Sequence, residues 1–131
     1  MVGKGLFIVG INTEVGKTVV ASILVKALQA DYWKPIQAGD LEQTDTMRVQ
    51  EWADMLSVHF HPEAYRLVTP ASPHYAAAVE ERTIDFEQIS TLPEASRPLV
   101  VESAGGLMSP VGDKHTVLDL SSTCLASGGG I

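Results

Sequence analysis

The chain has 131 residues, enough for one domain with a core and too few for two. Its composition, 45% hydrophobic and 19% charged, is that of a folded chain and argues against disorder. A net charge of -7 without a Lys/Arg cluster argues against nucleic acid and anionic membrane as partners, so any phosphate site must be a local exception built from backbone N–H groups, a few lysines and a metal.

Gly5 to Gly10 reads as a short buried strand, because Leu6, Phe7, Ile8 and Val9 are apolar on both faces. A helix is predicted from Lys17 to Ala30, with Val20, Ile23, Leu24, Ala27 and Leu28 as its apolar stripe. Asp31 to Ile36 is predicted as a second strand, which Pro35 brings to its end. Thr44 to Val58 reads as helix, with Met47, Trp52 and Leu56 apolar. His59 to Pro73 carries Pro62, Pro70 and Pro73 and reads as irregular, although Ser72 and Pro73 suit the cap and first position of a short helix. Asp85 to Ser90 is predicted as another brief helix and Arg97 to Glu102 as the third strand, followed by Ser-Ala-Gly-Gly. The stretch SSTCLASGGGI starts like a helix and stops in three glycines.

Strand and helix alternate, which predicts an α/β fold with a mostly parallel, doubly wound sheet in three layers. Three strands are few for that architecture, so residues 1–131 are expected to be one phosphate-loop α/β domain truncated at its C-terminus. Cys124 is the sole cysteine; it excludes an internal disulfide and suits a reducing compartment. The opening MVGKGLFIVG is too short for a signal peptide, and no apolar stretch approaches a membrane span. The expected location is the cytoplasm.

GINTEVGKT, residues 10–18, is the most informative segment. Gly16-Lys17-Thr18 after a buried strand and before a helix is the arrangement that turns backbone N–H groups and a helix N-terminus toward an anion. Lys17 is expected to reach the β- and γ-phosphates of a nucleotide and Thr18 to ligate Mg²⁺. The standard pattern has four residues between its glycines; here Ile11 to Val15 make five. The competing reading is a plain strand–helix turn. A GxGxxG motif is absent, which disfavours a dinucleotide fold.

Glu102 lies at the carboxyl end of the third strand, where ligands bind in open α/β sheets, and is expected either to approach Mg²⁺ or to be solvated. Read as an exposed site, its replacement by glutamine is expected to cost the fold no more than about 1 kcal/mol. Asp45 is a second carboxylate that would ligate metal or cap a helix. Lys34, between Trp33 and Pro35, contributes little to a core and is placed to neutralise charge on a transferred phosphate or an anionic substrate. His59, His61, His74 and His115 lack zinc spacing, and Ser72 and Ser109 lack a base arrangement for a nucleophile.

Together these segments resemble the dethiobiotin synthetase family. GINTEVGKT is similar to that family's GTDTEVGKT, five-residue gap included; WKPIQAG to YKPV-x-SG; PASPHYAAA to P-x-SPH-x-AA; and VESAGGLMSP to VEGAGG-x-x-x-P. The resemblance implies ATP- and Mg²⁺-dependent joining of CO₂ to 7,8-diaminononanoate, through a carbamic-phosphoric anhydride, in a homodimer. It places Lys17 and Lys34 on the carbamate and transferring phosphate, Thr18, Asp45 and Glu102 on Mg²⁺, and Thr13, Glu14, Val15, Gly16, Lys17, Thr18 and Val19 around the phosphates. Ala38, Ser72, Pro73, His74, Gly105 and Gly106 fall on substrate-binding segments.

Three departures stand out. Ala38 replaces the family's serine, so Gln37 or backbone must supply that contact; Ser103 replaces a glycine and is expected to restrict the turn; and the resemblance stops near Leu120, before the adenine-contacting segment. The rival readings are a related amide synthase such as the cobyrinate enzymes, which also carry a glutaminase domain, and a nucleotide-binding piece without complete chemistry.

Overall fold

The computed structural model describes residues 5–10, 16–94 and 96–128. Its elements run β1 (Gly5–Ile8), α1 (Gly16–Leu28), β2 (Asp31–Trp33), β3 (Ile36–Ala38), α2 (Asp45–Ala53), β4 (Phe60–His61), β5 (Tyr65–Leu67), α3 (Pro73–Val79), α4 (Phe86–Ser90), β6 (Leu99–Glu102) and α5 (Val117–Gly128). A four-stranded parallel sheet has the order β1-β6-β2-β4, and β3 pairs with β5 in a separate two-stranded parallel sheet. The fold is α/β with parallel pairing, as the alternation predicts.

Strand alternation sorts the side chains into two layers of core. Ile8, Tyr32 and Val100 pack with Ala21 and Val25 of α1 and Val49 and Ala53 of α2 on one face. Trp33, Leu99 and Val101 turn to the other face, where Phe7 and Leu92 join them. A larger cluster links Ile36, Leu67 and Ala76 to Ile89 of α4 and Leu120 and Cys124 of α5. Burial pushes the Cys124 thiol up to about 11, so it serves as a small apolar filler.

Four local expectations are revised. The second strand ends at Trp33, and Pro35 turns the chain into β3, whose partner lies in the stretch expected to be irregular; there Pro35 accepts a hydrogen bond from Tyr65 N at 3.0 Å. Helix α2 stops at Ala53 because Asp54 adopts φ 50, the left-handed conformation that closes a helix and that Asp tolerates. Thr44 caps its start by accepting from Met47 N at 3.2 Å. Ser72 does precede α3 with Pro73 in the first turn, but its hydroxyl makes no capping bond.

The helix faces also differ from expectation. In α1 the buried side chains are Thr18, Ala21, Ser22 and Val25, while Val20, Ile23 and Leu28 are exposed. Small residues face the sheet and α2, which lets the helix come close; the bulkier stripe looks outward. The same inversion places Met47, Trp52 and Leu56 of the expected α2 segment at the surface.

Candidate active site

The carboxyl ends of β2 and β6 and the N-terminus of α1 meet at one point. Because Tyr32 pairs in register with Val100, positions two residues further on, Lys34 and Glu102, leave the sheet on the same side, toward α1. Thr18, in the first turn of α1, completes the group. Thr18 Oγ1 donates to Glu102 Oε2 at 3.0 Å, and Lys34 Nζ lies 3.3 Å from the same oxygen. Lys34 Nζ also lies 2.8 Å from Asp45 Oδ2 and donates to the Ser103 carbonyl at 3.2 Å.

The Lys34 and Glu102 side chains are only 5% and 1% exposed, so the pair is held inside the protein. The expectation of an exposed Glu102 is therefore wrong: its carboxylate is enclosed by partners that lie 68 to 84 residues away in sequence. Removing one member of such a set leaves others unsatisfied.

These side chains open onto a cavity of about 330 Å³ whose lining includes Lys17, Thr18, Lys34, Asp45 and Glu102, with Gln37, Ala38, Arg48, Ser72 and Gly105. Lys17 Nζ donates to the Gly105 carbonyl at 2.6 Å. Burial lowers the Lys17 pKa, and the charge of Lys34 lowers it further against the pull of Glu102 and Asp45. Two ammonium groups thus face one cavity beside the carboxylates of Asp45 and Glu102. Burial acts to raise the Asp45 pKa, but Lys34 and Arg48 outweigh it and hold the carboxyl below its ordinary value. Among the described residues, a side chain added at Gly16 would meet nothing within 4 Å.

The other candidate residues are distributed as follows. Val19 sits on the exposed side of α1, and Thr13, Glu14 and Val15 lie outside the described residues. Pro73 is buried beneath Gly105, and Gly106 N is turned away to donate to Ser109 Oγ at 3.0 Å. His74 lines a different cavity, 3.5 Å from Asp113. Gln37 reaches the first cavity, but its Oε1 accepts from Asp45 N at 3.1 Å and its Nε2 donates to Gly39 O at 3.0 Å, so it seats α2.

Ser103 does not strain its turn, because the left-handed position there is Gly105 at φ 78, where a Cβ would come within 2.9 Å of Ser109 Oγ. Gly39 has the same role after β3, with φ 81 and a Cβ position 2.7 Å from Pro70.

Two residues of the site escape the sequence reading. Arg48 pairs with Asp45 Oδ1 at 3.2 Å, a contact whose only signal is the i,i+3 spacing on a helix. Tyr32, which reads as core, donates from its hydroxyl to Glu102 Oε1 at 2.9 Å.

One hydroxyl and two carboxylates are hard oxygen donors of the kind that suit Mg²⁺. Among the described residues no cluster of three or more His, Cys, Asp or Glu forms a metal site, so a cation here needs oxygen from a phosphate or water as well. Also among the described residues, no helix is long and apolar enough to cross a membrane.

The family model described as an AAA domain matches residues 4–126. The ATP-dependent dethiobiotin synthetase of Christiangramia forsetii is 48% identical over 119 residues, which is 91% of this chain and 57% of the relative. The protein of the same name from Afipia carboxidovorans is 46% identical over 115 residues, 88% of this chain and 55% of the relative. The biotin biosynthesis bifunctional protein of Bordetella avium is 43% identical over 118 residues, 89% of this chain and 25% of the relative. The chain spans about half the length of the dethiobiotin synthetases it matches.

Proposed function

The chain belongs to the AAA domain family, and from that premise and its likeness to the dethiobiotin synthetases we propose that it carries the phosphoryl-transfer half of a dethiobiotin synthetase site. The observation that carries this reading is Lys34 held between Asp45 and Glu102 beside Lys17 and Thr18, all facing one cavity.

In the proposed reaction CO₂ adds to one amine of 7,8-diaminononanoate as a carbamate. The carbamate oxygen attacks the γ-phosphorus of ATP, and the bond to ADP breaks. The second amine then attacks the carbonyl of the mixed anhydride, closing the cyclic urea and releasing phosphate. No side chain need act as a nucleophile, so the protein's task is positioning and charge neutralisation. Lys17 and the α1 N-terminus bind the phosphates, and Lys34 stabilises the carbamate and the transferring phosphoryl group. Thr18, Asp45 and Glu102 would hold Mg²⁺, which supplies further neutralisation of the phosphate charge when bound.

The proposal has two further parts. The exposed apolar side chains of α1, with Trp52 of α2 beside Val19 and Ile23, form a surface suited to a homodimer contact. Substrates this small and polar, made and used in biosynthesis, suit a cytoplasmic protein.

The test is phosphate release from ATP with Mg²⁺ and bicarbonate, with and without 7,8-diaminononanoate. Release that depends on the diamine is expected. Nucleotide binding without diamine-dependent release would overturn the reading in favour of a binding piece whose chemistry lies in the half that the relatives have in addition.

A further inference from the structure

Tyr32 is fully buried, with its ring tilted against Phe60 at 6.3 Å between centroids. A phenylalanine would fill the same volume, so packing does not account for the hydroxyl, and an unpaired buried hydroxyl is costly. The hydroxyl is paired with Glu102 Oε1 at 2.9 Å, while Thr18 and Lys34 both address Oε2. The two oxygens of one buried carboxylate are thereby given different tasks: Oε1 is turned into the protein, and Oε2 meets the groups that line the cavity.

We propose that Tyr32 is a positioning residue for the cation-binding side of this site, fixing the rotation of the Glu102 carboxylate so that Oε2 is the oxygen presented to the cavity. The inference rests on the Mg²⁺-nucleotide reading above. Carboxylates that ligate metals are oriented by such outer hydrogen bonds, whose loss costs roughly 10- to 100-fold in metal affinity. Tyr32 comes from the strand beside the one that carries Glu102, and the parallel register sets its reach. A shift of β2 by one residue would turn Tyr32 to the opposite face, which makes the contact a property of the fold.

The experiment compares the full chain with its Tyr32→Phe and Trp33→Phe variants. Mn²⁺ binding in the presence of a non-hydrolysable ATP analogue is followed by electron paramagnetic resonance, and analogue binding without metal is measured in parallel. Trp33 is the neighbouring buried donor, bonded to the Pro62 carbonyl at 3.1 Å on the other face of the sheet, and controls for general loosening of β2. Tyr32→Phe is expected to weaken Mn²⁺ binding roughly 10- to 100-fold with metal-free analogue binding unchanged, and Trp33→Phe to leave Mn²⁺ binding unaltered. Equal Mn²⁺ affinity in Tyr32→Phe and the unsubstituted chain would overturn the inference alone, as would equal weakening in both variants. Absence of Mn²⁺ binding in the unsubstituted chain would overturn the Mg²⁺-nucleotide reading and the inference with it.

Discussion

Replacing Glu102 by glutamine is expected to lower stability by about 3 kcal/mol and to abolish metal-dependent turnover. The carboxylate is 1% exposed and accepts from Tyr32, Thr18 and Lys34, so an amide loses the buried ion pair and turns an N–H₂ toward groups that are themselves donors. Lys34 keeps Asp45 at 2.8 Å, which places the cost at the low end for a broken buried pair. Urea unfolding of the variant beside the unsubstituted chain measures this directly. A difference below about 1 kcal/mol would mean that Glu102 behaves as a surface residue, against the geometry.

The second large effect is expected from Lys34→Met. Methionine fills much of the lysine volume but removes the cation that bridges Asp45 and Glu102. Turnover is expected to fall roughly 10²- to 10³-fold, as for loss of one preorganised charge-stabilising group, while nucleotide affinity, which the proposed reading assigns to Lys17 and the α1 N-terminus, changes little.

The same variant has a pH signature. Burial raises the Asp45 pKa, and the charge and hydrogen bond of Lys34, together with Arg48, reverse this and leave it lowered. A carboxyl lowered in the fold stabilises above its unfolded pKa, near 4, and that contribution fades as the pH falls through the folded value. The stability gap between the unsubstituted chain and Lys34→Met should therefore be full at neutral pH and narrow below about pH 4. A gap that stays constant on acidification would contradict the Lys34–Asp45 assignment.

The existence of β1 and the end of β6 at Glu102 were legible in the sequence, because an apolar run before a Gly-Lys-Thr turn and another ending in a carboxylate both carry strong local signals. Strand β1 nevertheless stops at Ile8 rather than Gly10, and its Leu6, Phe7 and Ile8 are only partly buried, with Val9 exposed. The β3–β5 sheet was not, because Ile36–Ala38 and Tyr65–Leu67 are three-residue strands, each too short for alternation to register. Helix α1 was legible as a helix and misread in its orientation. Its sequence offers a bulky stripe and a small one, and close approach to the sheet and α2 selected the small one, Ala21 and Ser22.

The candidate site divides in the same way. Lys17, Thr18, Lys34, Asp45 and Glu102 were picked out by position and charge, and all five line one cavity. What they do to one another was hidden, because the burial of Glu102 depends on Tyr32, 70 residues earlier, and Thr18, 84 residues earlier. Tyr32 gave no sign of its role, since an aromatic in a buried strand is the usual content of a core.

On the proposed reading, Lys17 and its neighbours hold the phosphates of a Mg²⁺-bound nucleotide. Calorimetric titration of the chain and its Lys17→Ala variant with a non-hydrolysable ATP analogue, with and without Mg²⁺, tests it most directly. The expected result is binding that Mg²⁺ strengthens and that Lys17→Ala weakens roughly 10- to 100-fold, the worth of a charge-assisted hydrogen bond. Binding that is indifferent both to Mg²⁺ and to the loss of Lys17 would contradict it.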